Sequence, residues 1–440
     1  MTTTPATGHG PHTDHAETAA TTAAEAAATP TAARTFDALR FRGYRSLWIG
    51  SLGVLLAVTG QTIARGWLAF QLTGTNAGLG GVMMGFGLAM LLATPVGGVA
   101  ADRWPRRAVL VGSIAILVLT AAWIGLAEMF GFLEYWMLVS ASALQAIAFA
   151  FYGPARMSVI PELVDRPTVP NAIVLGQVGL EGMRVMGPAT AGILVATPWF
   201  GAEGVFLLGS SLCMVALVAT LRLPRTTITY GSRRLAPLAD TAEAFRYIRA
   251  EPGLLLLATT SLGVVAIGMP YLTFLPAIAE DIFDVGSQGY GVMSATSATG
   301  GVVAGLLTAR LGERRRPWRR AGLAGLLFGC TLILLAVMPR FGLALAVLPL
   351  LGGASLMFQT TNQSLLMTLS DSDYHGRLQG TVMLGFSGFG IVALPLGVLA
   401  DEIGLRSTLG LMGATVVAIM LVFNLRRRRH RGAALALELG

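Results

Sequence analysis

The chain has 440 residues, 54% hydrophobic and only 12% charged, with a formal net charge of +8. Soluble domains carry about 25% charged residues, so this balance excludes an ordinary soluble domain and indicates repeated membrane crossing. All 31 basic residues are arginine. They sit in short segments between apolar runs, which fits membrane topology and not a nucleic-acid face.

Residues 1–38 are rich in Ala, Thr, Pro and Gly and lack the apolar core of a signal peptide. They read as a disordered tail. His9, His12 and His15 recur within it; a solvated tail is one reading and a weak metal site the other. Twelve apolar runs follow, at 47–70, 77–101, 108–127, 134–155, 171–197, 201–221, 254–280, 287–309, 321–338, 341–369, 379–401 and 405–425. Each is near or above the ~20 residues that span a bilayer as a helix. Cys213 and Cys330 fall inside such runs and read as small core residues. No Cys–His grouping has metal-ligand spacing. No Gly-rich phosphate loop ending in Lys-Ser or Lys-Thr is present, so no cofactor and no ATP-driven step are expected.

Arginine placement sets the orientation. The loops at 102–107, 156–170, 222–250, 310–320 and 370–378, together with both tails, hold 27 of the 31 arginines. The opposite side carries Glu128, Glu134, Glu203, Glu280, Asp281 and Asp284 with few arginines. Both termini are therefore expected in the cytoplasm. The longest loop, 222–252, separates a first group of six runs (39–221) from a second (253–425), with a basic tail at 426–440. Within that loop Leu238, Ala242, Phe245 and Ile248 make an apolar stripe at helical spacing, which predicts a short helix at the membrane face. A shift of 207 residues superposes Gly98 on Gly305, Arg103 on Arg310, Phe151 on Phe358 and Pro188 on Pro395. This repeat predicts an all-α integral membrane fold of twelve transmembrane helices in two pseudo-symmetric six-helix bundles.

The loop between the second and third runs reads Gly98-x-x-x-Asp102-Arg103-x-Pro105-Arg106-Arg107. It resembles the corresponding loop of the major facilitator superfamily, with Pro105 where that pattern has Gly. The resemblance implies a cytoplasmic latch between the two halves of a transporter, formed by Gly98, Asp102, Arg103, Arg106 and Arg107. Asp102 as a simple helix cap in a positive-inside loop is the other reading. Phe41-Arg42-x-Tyr44-Arg45-x-Leu47-Trp48, Gly153-Pro154-Ala155-Arg156 with Ile160-Pro161-Glu162, and His375-Gly376-Arg377 are similar to the branch that contains the enterobactin exporter and bacterial efflux proteins.

The fifth run holds Glu181, Gly182, Arg184, Gly187, Pro188 and Gly192. Its glycines and proline resemble the fifth-helix motif of proton-coupled exporters; close helix packing explains the same residues without export. Glu181 is an acid well inside a predicted span, where an ionisable side chain is costly unless paired or hydrated, and Arg184 lies three residues on. The pair reads either as a proton site tuned by burial and by Arg184, or as a static or wet ion pair. Gln61, Arg65, Gln145, Gln177, Gln359, Asn362 and Gln363 place polar groups in or near spans. They are candidates to line a cavity or to bond helix to helix. Arg65 could attract an anionic cargo, stack on an aromatic ring, or snorkel to the interface.

The resemblance implies a monomeric secondary active transporter of the bacterial plasma membrane and not an enzyme. It exports a small amphipathic molecule, such as a siderophore or drug, against proton entry. Uptake of a sugar or metabolite is an alternative, as is a transport-inactive scaffold or sensor. The topology has a direct test in a cysteine-free background. A cysteine at Gly201 is expected to react with an impermeant maleimide added to sealed cells, and one at Ser232 is not. Outside labelling of Ser232→Cys alone would overturn the orientation.

Overall fold

In the computed structural model residues 36–195, 197, 199–224, 246–311, 317–370 and 375–429 are described; for 98–99, 101–103, 185, 308–311, 375–386 and 428–429 this covers the backbone alone. The expected N-terminal tail with its histidines, most of the linker helix and the end of the basic tail lie outside the described residues. So do the side chains of Asp102, Arg103, Arg310 and Arg377.

The first helices are α1 (Arg42–Thr73), α2 (Asn76–Arg103), α3 (Arg106–Met129), α4 (Tyr135–Leu163), α5 (Val169–Val195) and α6 (Gly201–Leu221). After residues 246–250, which are helical, come α7 (Pro252–Ile282), α8 (Gly286–Leu311), α9 (Pro317–Val337), α10 (Phe341–Leu369), α11 (His375–Ile403) and α12 (Leu405–Arg429). Ten of these are long and apolar enough to cross a membrane, judged on described residues. The other two, α5 and α11, have 27 and 29 residues and include positions described by backbone alone. The chain is a multi-pass, all-α membrane protein.

Helix is what these sequences must form in lipid, where a backbone amide has no solvent partner and has to be satisfied within its own segment. Hydroxyl side chains follow the same rule. Ser51 donates to Leu47 O (2.7 Å), Ser113 to Val109 O (2.8 Å) and Thr220 to Ala216 O (2.8 Å), each one turn back along its own helix. Helix ends are set by residues suited to them. Gly74 closes α1 in the left-handed region at φ +60°, and the Thr75 hydroxyl then caps α2 by accepting from Gly78 N at 3.0 Å. Two departures from the predicted runs have clear causes. α4 continues past residue 155 to Leu163, with Pro154 and Pro161 inside it, because a helix in a packed membrane domain tolerates proline that neighbours compensate. α7 breaks at Met269–Pro270 and ends in a π-helical stretch, Ile278–Ile282, because Pro270 has no N–H to continue the ladder.

Several helices pack on partners from the same half of the sequence. α1 lies on α5 and α6, α3 on α4 and α6, and α2 on α4; α9 lies on α10 and α12, and α8 on α10. The 207-residue shift extends to the helix limits: α4, Tyr135–Leu163, maps to 342–370, against the observed Phe341–Leu369. Tyr44 and Trp48 of the entry motif have a structural task, donating to Ala172 O (2.6 Å) and Leu175 O (3.2 Å) of α5. Cys213 is buried as expected of a small core residue, whereas Cys330 is exposed, because it lies on the outward face of α9.

The two sequence halves meet at α2 against α11, α5 against α8, and α1 against α7. Glycine makes the first two approaches possible. A Cβ at Gly390 would lie 2.5 Å from Met83 O and 2.7 Å from Gly87 Cα, and one at Gly192 would lie 2.7 Å from Gly291 O.

The second-half core gives a packing test. Phe328 is fully buried, with Tyr271 edge-on at 6.1 Å, and Leu323 on the same helix is exposed. Phe328→Ala is expected to destabilise the folded protein by about 3–5 kcal/mol, read as a lower melting temperature in detergent, and Leu323→Ala to change it little.

Candidate functional site

The loop after α2 is held from its second half. Arg106 at the start of α3 donates to Ser158 O (2.9 Å) and pairs with Glu162, both on α4. Arg107 donates to Leu221 O at the C-terminus of α6, where a cation complements the helix dipole. These contacts fix the start of α3 to α4 and α6. Gly98, Asp102 and Arg103 lie at the end of α2, with only their backbone described.

On α5 the motif residues face different neighbours. Gly187 abuts Thr59 and Leu56 O of α1, Gly192 abuts Gly291 and Ser294 of α8, and Gly182 faces open space. Pro188 lies inside the helix. Glu181 and Arg184 form the expected i,i+3 pair at 3.8 Å, but their side chains are 54% and 39% exposed. The exposure of Glu181 follows from its helical phase. Glu181 lies eleven residues before Gly192, about three turns at 3.6 residues per turn, so both share a face. At Gly192 that face is packed on α8; nearer the arginine-rich end Val174, Val178 and Glu181 on it are exposed.

The polar candidates do not converge. Three of them form one buried cluster. Arg65 of α1, 2% exposed, donates through Nη1 to Ser142 Oγ (3.0 Å) and Gln145 Oε1 (2.8 Å) of α4. Gln145 Nε2 donates to Gln61 Oε1 (3.0 Å), and the Arg65 guanidinium lies 5.9 Å from the centroid of the Phe206 ring. Arg65 Nε and Gln61 Nε2 find no partner among the described residues. The guanidinium turns into the first half and does not snorkel. Gln359 of α10 donates to Met269 Sδ at 3.4 Å. Asn362 is buried, Gln363 is half-buried beside it, and Gln177 of α5 is exposed.

Residues that close one end of the seam carried no signal in the sequence. The Tyr290 hydroxyl of α8 donates to Ile63 O of α1 (2.9 Å), and its ring stacks on Trp67 at 5.9 Å. An aromatic in an apolar run looks like any core residue until its partner helix is known.

This arrangement, with two groups of helices meeting at one end along glycine-lined contacts and polar side chains held at membrane depth, is that of a membrane transporter. Residues 47–395 match the Major Facilitator Superfamily, and the chain belongs to that family. It is a secondary transporter of a small molecule, working by alternating access, and not an enzyme. It is 24% identical over 344 residues to the staphyloferrin A transporter of Staphylococcus aureus, covering 77% of this chain and 85% of that protein. It is 24% identical over 355 residues to the enterobactin exporter EntS of Escherichia coli, covering 78% and 82%. Among solved structures, a mutant of the nucleoside transporter NupG has the same fold, with a TM-score of 0.67 at 15% identity, covering 87% of this chain and 99% of that one.

The buried cluster yields a stability prediction. Gln145→Leu strips the Arg65 cation of an acceptor and is expected to cost about 1.5–3 kcal/mol. Arg65→Met, of similar volume, removes the charge as well and should be near neutral. The double variant should therefore melt above Gln145→Leu alone in detergent.

Proposed function

We propose that the chain carries a polar metabolite across a bacterial plasma membrane, through twelve spans arranged as two pseudo-symmetric six-helix bundles (39–221 and 253–425) joined by the 222–252 linker. In this reading both termini are cytoplasmic, so the arginine-rich end faces the cytoplasm and the Asn76 end faces out. The observation that carries the reading is the unequal seam. Trp67–Tyr290 and Gly192–Gly291 close it at the Asn76 end, while the same face of α5 is exposed at Glu181. Closure at one end is what one state of a two-state carrier requires.

Uptake of a sugar or similar metabolite is favoured by the chemistry of the polar candidates. Buried Asn362, whose Oδ1 finds no partner among the described residues, and exposed Gln177 offer amides that recognise hydroxyl and carboxylate oxygens, whereas Gln61, Arg65 and Gln145 are bonded to one another. Export of an amphipathic siderophore or drug is the second reading, supported by the names of the curated relatives. No observation favours a transport-inactive scaffold. Glu181 is the proposed proton carrier, with Arg184 paired to it at 3.8 Å. Gly98, Asp102 and Arg103 are the proposed latch, on a loop that Arg106 and Arg107 anchor.

Vesicles of both orientations, loaded with labelled sugars, carboxylates or amphipathic dyes under an imposed pH gradient, test these readings. Uptake predicts accumulation in right-side-out vesicles, and export predicts it in everted ones. Glu181→Gln is expected to keep binding and downhill exchange but to lose accumulation driven by the gradient, since an amide cannot titrate. Uphill transport by Glu181→Gln at the normal rate would remove Glu181 from the coupling step.

A further inference from the structure

We propose that Asp401 is a positioning residue of the transport cycle: by capping the first turn of α2 across the seam, its carboxylate holds the Asn76 end shut and must let go each time that end opens. The inference rests on the alternating-access reading. Asp401 lies in the last turn of α11. Its Oδ1 accepts from Asn76 N at 2.8 Å and from Asn76 Nδ2 at 2.9 Å, and its Oδ2 accepts from Ala77 N at 2.9 Å.

These bonds complete an account of the first turn of α2. A helix leaves its first amides without intrahelical acceptors. Here Gly78 N is served locally by the Thr75 hydroxyl (3.0 Å) and Leu79 N by Thr75 O (3.4 Å). The amides of Asn76 and Ala77 are served only from the other half of the chain, by Asp401. When the seam parts at this end, those donors and the carboxylate all lose their partners at once.

The location of the charge points the same way. A carboxylate in the last turn of a helix faces the negative end of that helix's own dipole, which disfavours it. Asp401 therefore gains nothing from α11, and its stabilisation comes from the positive N-terminus of α2, through charge-assisted bonds. Among the described residues no ion pair of Asp401 occurs. The approach is built for closeness: Gly397, one turn earlier, abuts Asn76 O, and a Cβ at Gly80 would lie 2.5 Å from Ala393 O.

The sequence repeats the device. Gly397-Val398-x-Ala400-Asp401-x-x-x-x-Arg406 matches Gly98-Val99-x-Ala101-Asp102-x-x-x-x-Arg107. The two copies end α11 and α2, the antiparallel pair that forms this part of the seam. They therefore lie at opposite ends of it. Arg406 serves its copy as Arg107 serves the other, by donating to backbone carbonyls of a neighbouring helix end: Ala336 O at 2.9 Å and Met338 O at 2.8 Å.

The test uses the full chain in lipid nanodiscs, with Cys330→Ser to remove the exposed native thiol. Spin labels at Phe130→Cys and Pro339→Cys report the Asn76 end, and in a second sample labels at Arg166→Cys and Arg319→Cys report the arginine-rich end. Asp401→Ala is expected to raise the ratio of long to short distances at the Asn76 end by about tenfold or more, since three bonds to a charged group are lost. Asn76→Pro attacks the same contact from the other side. It deletes two of the three donors while placing proline at the first helical position, where it is favoured, after Thr75, whose extended backbone (φ −132°, ψ 148°) suits a pre-proline residue. It should shift the same ratio the same way, and the double variant should go little further than either alone. A merely structural role predicts lower melting temperatures with unmoved distances, and that result in both single variants would overturn the proposal. If the distances at the two ends respond to a change of bulk pH in the parent protein but not to these substitutions, the Asp401 assignment alone fails. If neither pair ever shows a second population, the alternating-access reading fails with it.

Discussion

A bilayer core offers the backbone no hydrogen-bond partner, and the rest of this structure depends on that constraint. It makes every span a helix, and it keeps many serine and threonine hydroxyls, such as those of Ser51, Ser113 and Thr220, on their own preceding turn. Within the described spans it also explains why a charge such as Arg65 is wrapped by Ser142, Gln145 and an aromatic face and not left alone. With no hydrophobic drive between helices in lipid, association rests on close packing. Gly80, Gly87, Gly192, Gly390 and Gly397 lie where backbones touch across the seam for that reason.

That seam is where packing becomes function. A glycine-lined contact binds over a large area through many weak dispersion contacts, so it can be parted without breaking a covalent or strongly charged core. Among the described residues the directional bonds there include Tyr290 to Ile63 O and Asp401 to the start of α2. A few directional bonds on a smooth surface give a carrier two discrete states instead of a continuum of slippage. Pro270 and the π-helical end of α7 add a local break in the span that meets α1 and α2 on this same end.

Charge is sorted by its partners. Arg106 binds Ser158 O and Glu162 of α4, and Arg107 donates to Leu221 O of α6. Glu181 sits on a face of α5 that is packed on α8 at Gly192 and exposed at Glu181 itself.

Much of the fold was legible in the chain. Apolar runs of sufficient length give spans because bilayer thickness is fixed, and the 207-residue shift that linked four landmarks extends to the limits of the helices. The pairing of Glu181 with Arg184 follows from helical spacing, a local property. The break at Pro270 and the length of α4 were not legible, because proline stops a helix or is absorbed by it according to its neighbours. Nor could the sequence separate Arg106 and Arg107 from Asp102 in role, since one short loop places all of them together and only their partners on α4 and α6 distinguish them. By itself the sequence determined the elements: which segments lie in lipid, and which charges lie at their ends. Only the tertiary structure decided which faces meet, drawing Gln61, Arg65 and Gln145 into one cluster, leaving Glu181 exposed, and bringing Asp401 to the start of α2. Such contacts join residues as many as 325 positions apart, and periodicity along one helix carries no information about the helix it will touch.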